Sequence, residues 1–342
     1  MEEDGERQLN ISEIARLASV STATVSRTLN QSGAVKPETA RKVWRAAAEL
    51  NYYPNSHARA LVSGRSRMLG LIVSDITNPF FPELVRAFES LAAQHQYDLL
   101  LTSTDYQTAH MTNCLRRMLE RKVDGVAIMT SEMDVGLIKE LSRRGVPLVF
   151  MDVGQVGPRM SHVLIDYANG IRQAVDHVVK LGHRRVAFIS GPLDLHSART
   201  RRQAFVDGMR AHRMKPDPKL LREGTHTAEG GRHSMAAILR QKKRPTAVLC
   251  SNDWTAIGAL HALDEAGVRV PADVSLVGFD DIPLASYTSP PLTSVRMSAG
   301  DVGSTAFDAL FRLVDGQRPE GDIYQVPTTL VVRESTAKPR RS

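Results

Sequence analysis

Cysteine is nearly missing from this 342-residue chain; Cys114 and Cys250 are the only two. They make no disulfide pattern and suit a reducing cytoplasm. No apolar run approaches the length that spans a bilayer. Met1–Arg7 leads straight into acidic residues, so no export signal is expected and the lead reads as disordered. Phosphate-loop, G-x-G-x-x-G, G-x-S-x-G and H-E-x-x-H patterns are all missing, which argues against the common nucleotide-dependent, hydrolytic and metal-dependent enzymes. His177, His183 and His233 lack metal-ligand spacing, so neither a metal nor a cofactor is expected. No internal repeat or low-complexity tract is visible.

What is present begins at Asn10–Asn30, NISEIARLASVSTATVSRTLN, which reads as two short helices joined by a tight turn. Asn10 can cap the first, with Glu13 three residues on in a capping box. Ile11, Ile14, Ala15, Leu17 and Ala18 form its apolar stripe. Ser21 is the natural cap of a second helix, Thr22 to Leu29. There Val25 and Leu29 face inward while Thr22, Ala23, Ser26 and Arg27 face out. An arginine and small methyl-bearing side chains suit the major groove, so Thr22, Ala23 and Arg27 are the candidate base readers. An ordinary helical hairpin with a solvated face fits these residues equally well.

A third amphipathic helix, Pro37 to Leu50, places Val43, Trp44, Ala47 and Leu50 on one side, and three helices can close a small core. Residues 10–67 carry nine Lys and Arg against three Glu. A local +6 on a helical module favours phosphate contact and predicts strongly salt-dependent binding.

Beyond Arg67 apolar strands alternate with amphipathic helices, the pattern of parallel sheets covered on both faces. Candidate strands are Met68 to Val73, Asp98 to Thr102, Gly125 to Met129, Leu148 to Met151, Arg185 to Ile189, Ala247 to Cys250 and Ser275 to Gly278. Helices are expected between them, for instance Pro82 to His95 and Asn169 to Leu181. The stretch is large for one doubly wound sheet and comfortable for two. Ligands of such sheets gather at the carboxyl ends of the strands. Asp75, Asp152, Ser197, Arg201, Asn252, Asp253 and Asp280 fall there, and Phe80 or Phe81 can cover a sugar ring. Such groups pair with vicinal hydroxyls. The plainer readings are strand-end capping for Asp152 and Asp280, a helix-face salt bridge for Arg201, and core or dimer contact for the phenylalanines.

The motifs VSTATVSRTLN, ELNYYPNSHARAL and DITNPFF, followed by RKVDGVAIM, LGHRRVAFISGPL, RPTAVLCSND, DVSLVGFDD and SPPLTSV, resemble the lactose-repressor/galactose-repressor family of bacterial transcription regulators, which includes ribose and purine repressors. The resemblance runs from about Ile11 to about Arg333. It implies an α/β fold class: an N-terminal all-α helix-turn-helix domain and a two-subdomain, periplasmic-binding-protein-like doubly wound α/β body. The implied divisions are a lead over 1–9, the DNA-binding domain over 10–54, a hinge helix and linker over 55–67, an effector-binding and dimerisation domain over 68–335, and a tail over 336–342. One subdomain takes about 68–166 and 296–326, the other about 167–295 and 327–335, with crossings near Asp166, Val295 and Val326.

The resemblance further implies a cytoplasmic homodimeric repressor of carbohydrate genes that binds near-palindromic operator DNA, with a small sugar-like effector in the cleft. Thr22, Ala23, Ser26, Arg27 and Asn30 would contact DNA. Asn55, Ala58 and Leu61 would do so from the hinge helix, with Leu61 wedged between base steps of the minor groove. Phe81, Asp152, Ser197, Arg201, Asn252 and Asp280 would hold the effector, with Asp166 nearby. Three positions depart from the family pattern. Ser19 stands where the turn usually has Gly, Lys36 where Ser or Thr usually caps the third helix, and His226 where an aromatic ring often covers the ligand. Trp254 is a candidate to supply that surface. The basic AKPRRS tail reads as a solvated end, and with no heptad repeat to build a tetramer the expected assembly is a dimer. The alternative is a sugar-binding carrier that regulates no gene directly.

Overall fold

The computed structural model describes residues 11–29, 33, 35–52, 65–130, 135–152, 156–317 and 320–340. The chain divides into two compact units, Met1–Arg67 and Met68–Ser342. The first holds helices α1 (Ile11–Leu17), α2 (Thr22–Leu29) and α3 (Pro37–Glu49). Ile14, Ala15, Ala18, Val25, Leu29, Val43, Ala46 and Ala47 close one small core. Ser19 has φ 53°, the left-handed conformation that glycine adopts more easily, so the turn tolerates a side chain there at modest cost. Lys36 makes no side-chain cap bond, and Pro37 opens α3 with a preset φ. Two sequence expectations fail: Leu17 is 47% and Trp44 45% exposed. The core-facing stripes run through Ile14, Ala15 and Ala18 and through Val43, Ala46 and Ala47, and both large side chains lie off them.

The second unit opens with β1 (Met68–Val73), α4 (Phe80–Gln94), β2 (Asp98–Ser103), α5 (Thr108–Glu120), β3 (Gly125–Met129), α6 (Val135–Arg143), β4 (Leu148–Met151) and β5 (Met160–Ile165). After Ile165 the chain crosses to a second sheet. There it builds α7 (Tyr167–Lys180), β6 (Val186–Ser190), α8 (His196–Ala211), β7 (Leu221–Glu223), α9 (Ala228–Leu239), β8 (Ala247–Cys250), α10 (Asp253–Glu265), β9 (Ser275–Asp280) and β10 (Thr293–Arg296). It returns with α11 (Ala299–Val314) and β11 (Ile323–Val326), and crosses once more to β12 (Thr329–Val331). The strand orders are β11-β5-β4-β3-β1-β2 and β12-β10-β9-β8-β6-β7. All neighbours are parallel except β10 and β12. Helix-covered strands must be apolar on both faces, which is why β3, β4, β6 and β8 are buried at every position. Phe88, Phe150, Phe188, Phe205, Phe279 and Phe307 are fully buried. Each contributes about 1.5–3 kcal/mol relative to exposure.

Small residues let helices cross. A Cβ on Gly303 of α11 would lie 2.3 Å from the Leu84 carbonyl oxygen of α4. In the second subdomain, α9 and α10 approach so closely that a Cβ on Gly258 would meet the Ala228 carbonyl oxygen and one on Gly231 that of Thr255. The end of the chain is anchored through its backbone, while the tail's Lys338 and Arg340 side chains stay exposed. Leu276 N donates to the Ser335 carbonyl (2.8 Å), buried His183 Nε2 bonds the Ala337 carbonyl (2.8 Å), and Arg340 pairs with Asp273 (3.1 Å).

Candidate DNA-reading head and effector cleft

The reading surface follows from how α2 starts. Ser21 Oγ accepts from Thr24 N (3.2 Å), as an N-cap does, and Val25 and Leu29 anchor the opposite face in the core. Thr22, Ala23 and Arg27 are thereby exposed and Ser26 half-buried. Arg16, Arg41, Lys42 and Arg45 are exposed on the same small unit. Asn30, Asn55, Ala58 and Leu61 lie outside the described residues, as do Asn10 and residues 55–64 of the expected hinge helix.

In the second unit the strand-end residues converge. Phe81, Asp152, Ser197, Arg201, Asn252 and Asp280 all line one cavity, joined by Ser74, Asn78, Phe80, Tyr106, Met151, Tyr167, Leu195, His226 and Met297. They come from the carboxyl ends of β1, β4, β8 and β9 and the first turns of α4, α7 and α8, so both sheets contribute. Three other strand-end acids serve the scaffold. Asp75 holds Thr77 N and Oγ1 (both 2.7 Å), and Asp166 accepts from Asn169 N (3.0 Å) to cap α7. Asp253 accepts from Ser294 Oγ (2.6 Å) and Ile282 N (2.9 Å) behind the cleft.

Arg201 is the centre of the cavity. Its guanidinium carbon lies over two aromatic rings, 4.4 Å from the Tyr167 ring centre and 4.5 Å from that of Phe279. Nη1 donates to the Ser251 carbonyl (3.0 Å), and Nε has no hydrogen-bond partner among the described residues. The nearest acid is Asp280, 4.0 Å from Nη2, beyond hydrogen-bond distance. Burial therefore dominates at Asp280 and pushes its carboxyl up to about 7, with the nearby guanidinium pulling the other way. Tyr167 donates its hydroxyl to Asp152 Oδ2 (2.8 Å), and burial holds that phenol neutral.

Asn252 uses both ends of its amide. Oδ1 accepts from Thr255 N (2.8 Å), capping α10, and Nδ2 donates to the His226 carbonyl (3.1 Å). His226 itself is buried, with Nδ1 3.3 Å from Ser251 Oγ. Burial first, and the Arg201 charge second, lower its pKa to about 3, so the ring is neutral. Gly191 makes room for that ring, since a Cβ there would lie 2.0 Å from Nε2. Opposite stands Tyr106, 5.8 Å away and tilted by 35°, with its hydroxyl receiving Asn78 Nδ2 (3.3 Å). Trp254 does not line the cavity; the aromatic surface facing His226 is Tyr106. Asp152, His226 and Asp280 have φ of 65°, 61° and 102°, strained backbone gathered at one site.

Sequence reasoning passed over Tyr167, Tyr106 and Asn78. Tyr167 obeys the strand-end rule used for its neighbours and could have been found by it; Tyr106 and Asn78 sit in loops whose facing partners no spacing reveals.

Comparison with known proteins bears on both surfaces. Residues 10–55 match the bacterial regulatory proteins of the lacI family, and residues 175–336 the periplasmic binding protein-like domain. The HTH-type transcriptional repressor PurR of Aliivibrio salmonicida (strain LFI1238) is 31% identical over 329 residues, covering 96% of this chain and 99% of that protein. PurR of Salmonella arizonae (strain ATCC BAA-731 / CDC346-86 / RSK2980) is 35% identical, with 96% of each covered. The chain belongs to the LacI family. Among solved structures, the Lac repressor dimer bound to operator and the anti-inducer ONPF superposes with TM-score 0.85 at 31% identity, covering 96% of this chain and 99% of that one. The CelR–cellobiose complex gives TM-score 0.71 at 30% identity over 96% of this chain and all of that one. As a LacI-family regulator with an N-terminal helix-turn-helix, the chain is a DNA-binding transcriptional repressor with an effector domain, not an enzyme. The rival reading of a carrier without a reading head falls with it. Among the described residues no helix is long and apolar enough to cross a membrane.

Proposed function

We propose that this repressor works in the cytoplasm as a homodimer on a near-palindromic operator, reading half-sites with Thr22, Ala23 and Arg27, and that its effector is a small uncharged sugar held in the cleft. Two-fold symmetry of the protein would be mirrored in the DNA, and the likeness to the operator-bound Lac repressor dimer supports that arrangement. The observation that carries the effector reading is the charge balance around Arg201. One guanidinium with an open Nε faces two carboxyls, Asp152 and Asp280, and a neutral His226. Paired donors and acceptors suit vicinal hydroxyls; a phosphate ester would meet the carboxyls. The free volume is only about 40 Å³, room for water but not for a sugar, so the cleft must open for the ligand to enter.

Calorimetric titration with a panel of neutral mono- and disaccharides, alongside operator binding measured with and without each sugar, tests this reading. Arg201→Ala is expected to abolish the sugar response and leave operator affinity near parental. A variant that still responds at the same sugar concentration excludes Arg201 from the site.

A further inference from the structure

Away from both surfaces, one groove of the body is lined by positive charge. Residues 68–342 carry 34 Lys and Arg against 30 Asp and Glu, yet between Arg199 and Arg222, leaving aside Arg201 of the cleft, seven cations stand against two carboxylates. Arg199, Arg202, Val206 and Arg210 recur at helical spacing along α8 and face the 215–221 segment across a groove of about 590 Å³. Arg199, Arg202, Arg210 and Lys215 supply its charge, and none of the residues lining it is acidic. The floor is apolar, formed by Val206, Leu221 and two prolines. Beside it runs β7, the edge strand of its sheet, so no further strand closes that side.

Little of this charge is neutralised. Arg199 donates to the carbonyls of Leu193 (2.8 Å) and Asp194 (2.6 Å), which fixes its position and leaves its charge uncompensated. Among the described residues Arg210 pairs with Asp207, at 3.7 Å and solvent-exposed, a weak pair. Asp207 is itself engaged by Gln203 Nε2 (2.9 and 3.0 Å).

We propose that this groove docks an acidic peptide segment of a partner protein, one that alternates carboxylates with apolar side chains. Charge complementarity selects the acidic residues and steers the encounter. The apolar side chains among the cations distinguish such a peptide from a bare polyanion.

The test uses the full-length protein and a fluorescein-labelled twelve-residue-scale peptide of repeating Glu-Leu-Asp-Val, read by anisotropy at low and moderate salt. Two competitors accompany it, oligoglutamate of the same charge and a duplex of unrelated sequence. The alternating peptide is expected to bind about ten-fold or more tightly than oligoglutamate, and to weaken with salt. Reversing charge with Arg202→Glu and Lys215→Glu, both on the surface, should weaken peptide binding at least about ten-fold. Operator binding and thermal midpoint should stay parental. Val206→Ser, which removes apolar surface and adds no charge, should weaken the alternating peptide more than oligoglutamate. Equal binding of the two peptides, indifference to the charge reversal, or preferential displacement by the duplex would overturn the proposal, the last in favour of a nucleic-acid surface.

Discussion

Single side chains at the cleft are held by others that never reach the cavity. Asp253 occupies the space beside Gly278, where a Cβ would lie 2.0 Å from its Oδ1, and bonds Ser294 and Ile282 on either side of the strand end that presents Asp280. Gly278→Ala must push that carboxyl aside and is expected to destabilise the body by about 1–3 kcal/mol. It should also weaken effector binding with little change in operator affinity. Denaturant unfolding and sugar titration measure the two effects. Asp280 shows why strand-end position alone was an incomplete guide. Position placed it in the cleft, but its raised carboxyl pKa follows from burial with the guanidinium 4.0 Å away, which no spacing in sequence encodes.

At the scale of elements, caps and glycines decide geometry. Ser21 starts α2 and so sets which residues of the helix face outward. Ser21→Ala is expected to cost about 1 kcal/mol of the reading head's stability and to weaken operator binding, both visible in thermal melts and operator titrations. The limits of β1, β3, β4 and β8 were legible because strands buried on both faces read as unbroken apolar runs. Expected Arg185 to Ile189 is Val186–Ser190, and the Ser275 strand runs on to Asp280. The strands β5, β7, β10, β11 and β12 carried no comparable signal. β10 reads Thr-Ser-Val-Arg, and its buried hydroxyls are satisfied by partners far away in sequence, such as Asp253 for Ser294 and the Arg333 N–H for Thr293. The backbone anchoring at the end of the chain carried no signal for the same reason: its partners, His183 and Leu276, lie more than fifty residues earlier.

For the whole molecule, two buried groups set opposite pH dependences. Asp280 is raised to about 7, so its contribution to stability is complete below the unfolded carboxyl's pKa of about 4 and is lost as pH rises through 7. His226 is lowered to about 3, so its contribution is present above about 6.5 and lost as pH falls through 3. Asp280→Asn removes only the first effect. Its stability relative to the parent is expected to rise between pH 4 and pH 8, measured by urea unfolding across that range; a difference independent of pH would show that Asp280 ionises normally. Effector and operator binding are reciprocal in such a regulator, because a ligand that biases the cleft's opening must shift whatever DNA affinity is coupled to it.

The helical reading head, the alternation of strand and helix, and the strand ends where ligand groups collect are all written in the order of residues. All three rest on local rules of capping, period and polarity that act over a few residues. Folding alone sets Arg201 over the rings of Tyr167 and Phe279, turns Tyr106 and not Trp254 toward His226, and gives Asp75, Asp166 and Asp253 to the scaffold. Those outcomes depend on burial and on distances between residues remote in the chain, where desolvation and through-space charge act and sequence spacing has no hold.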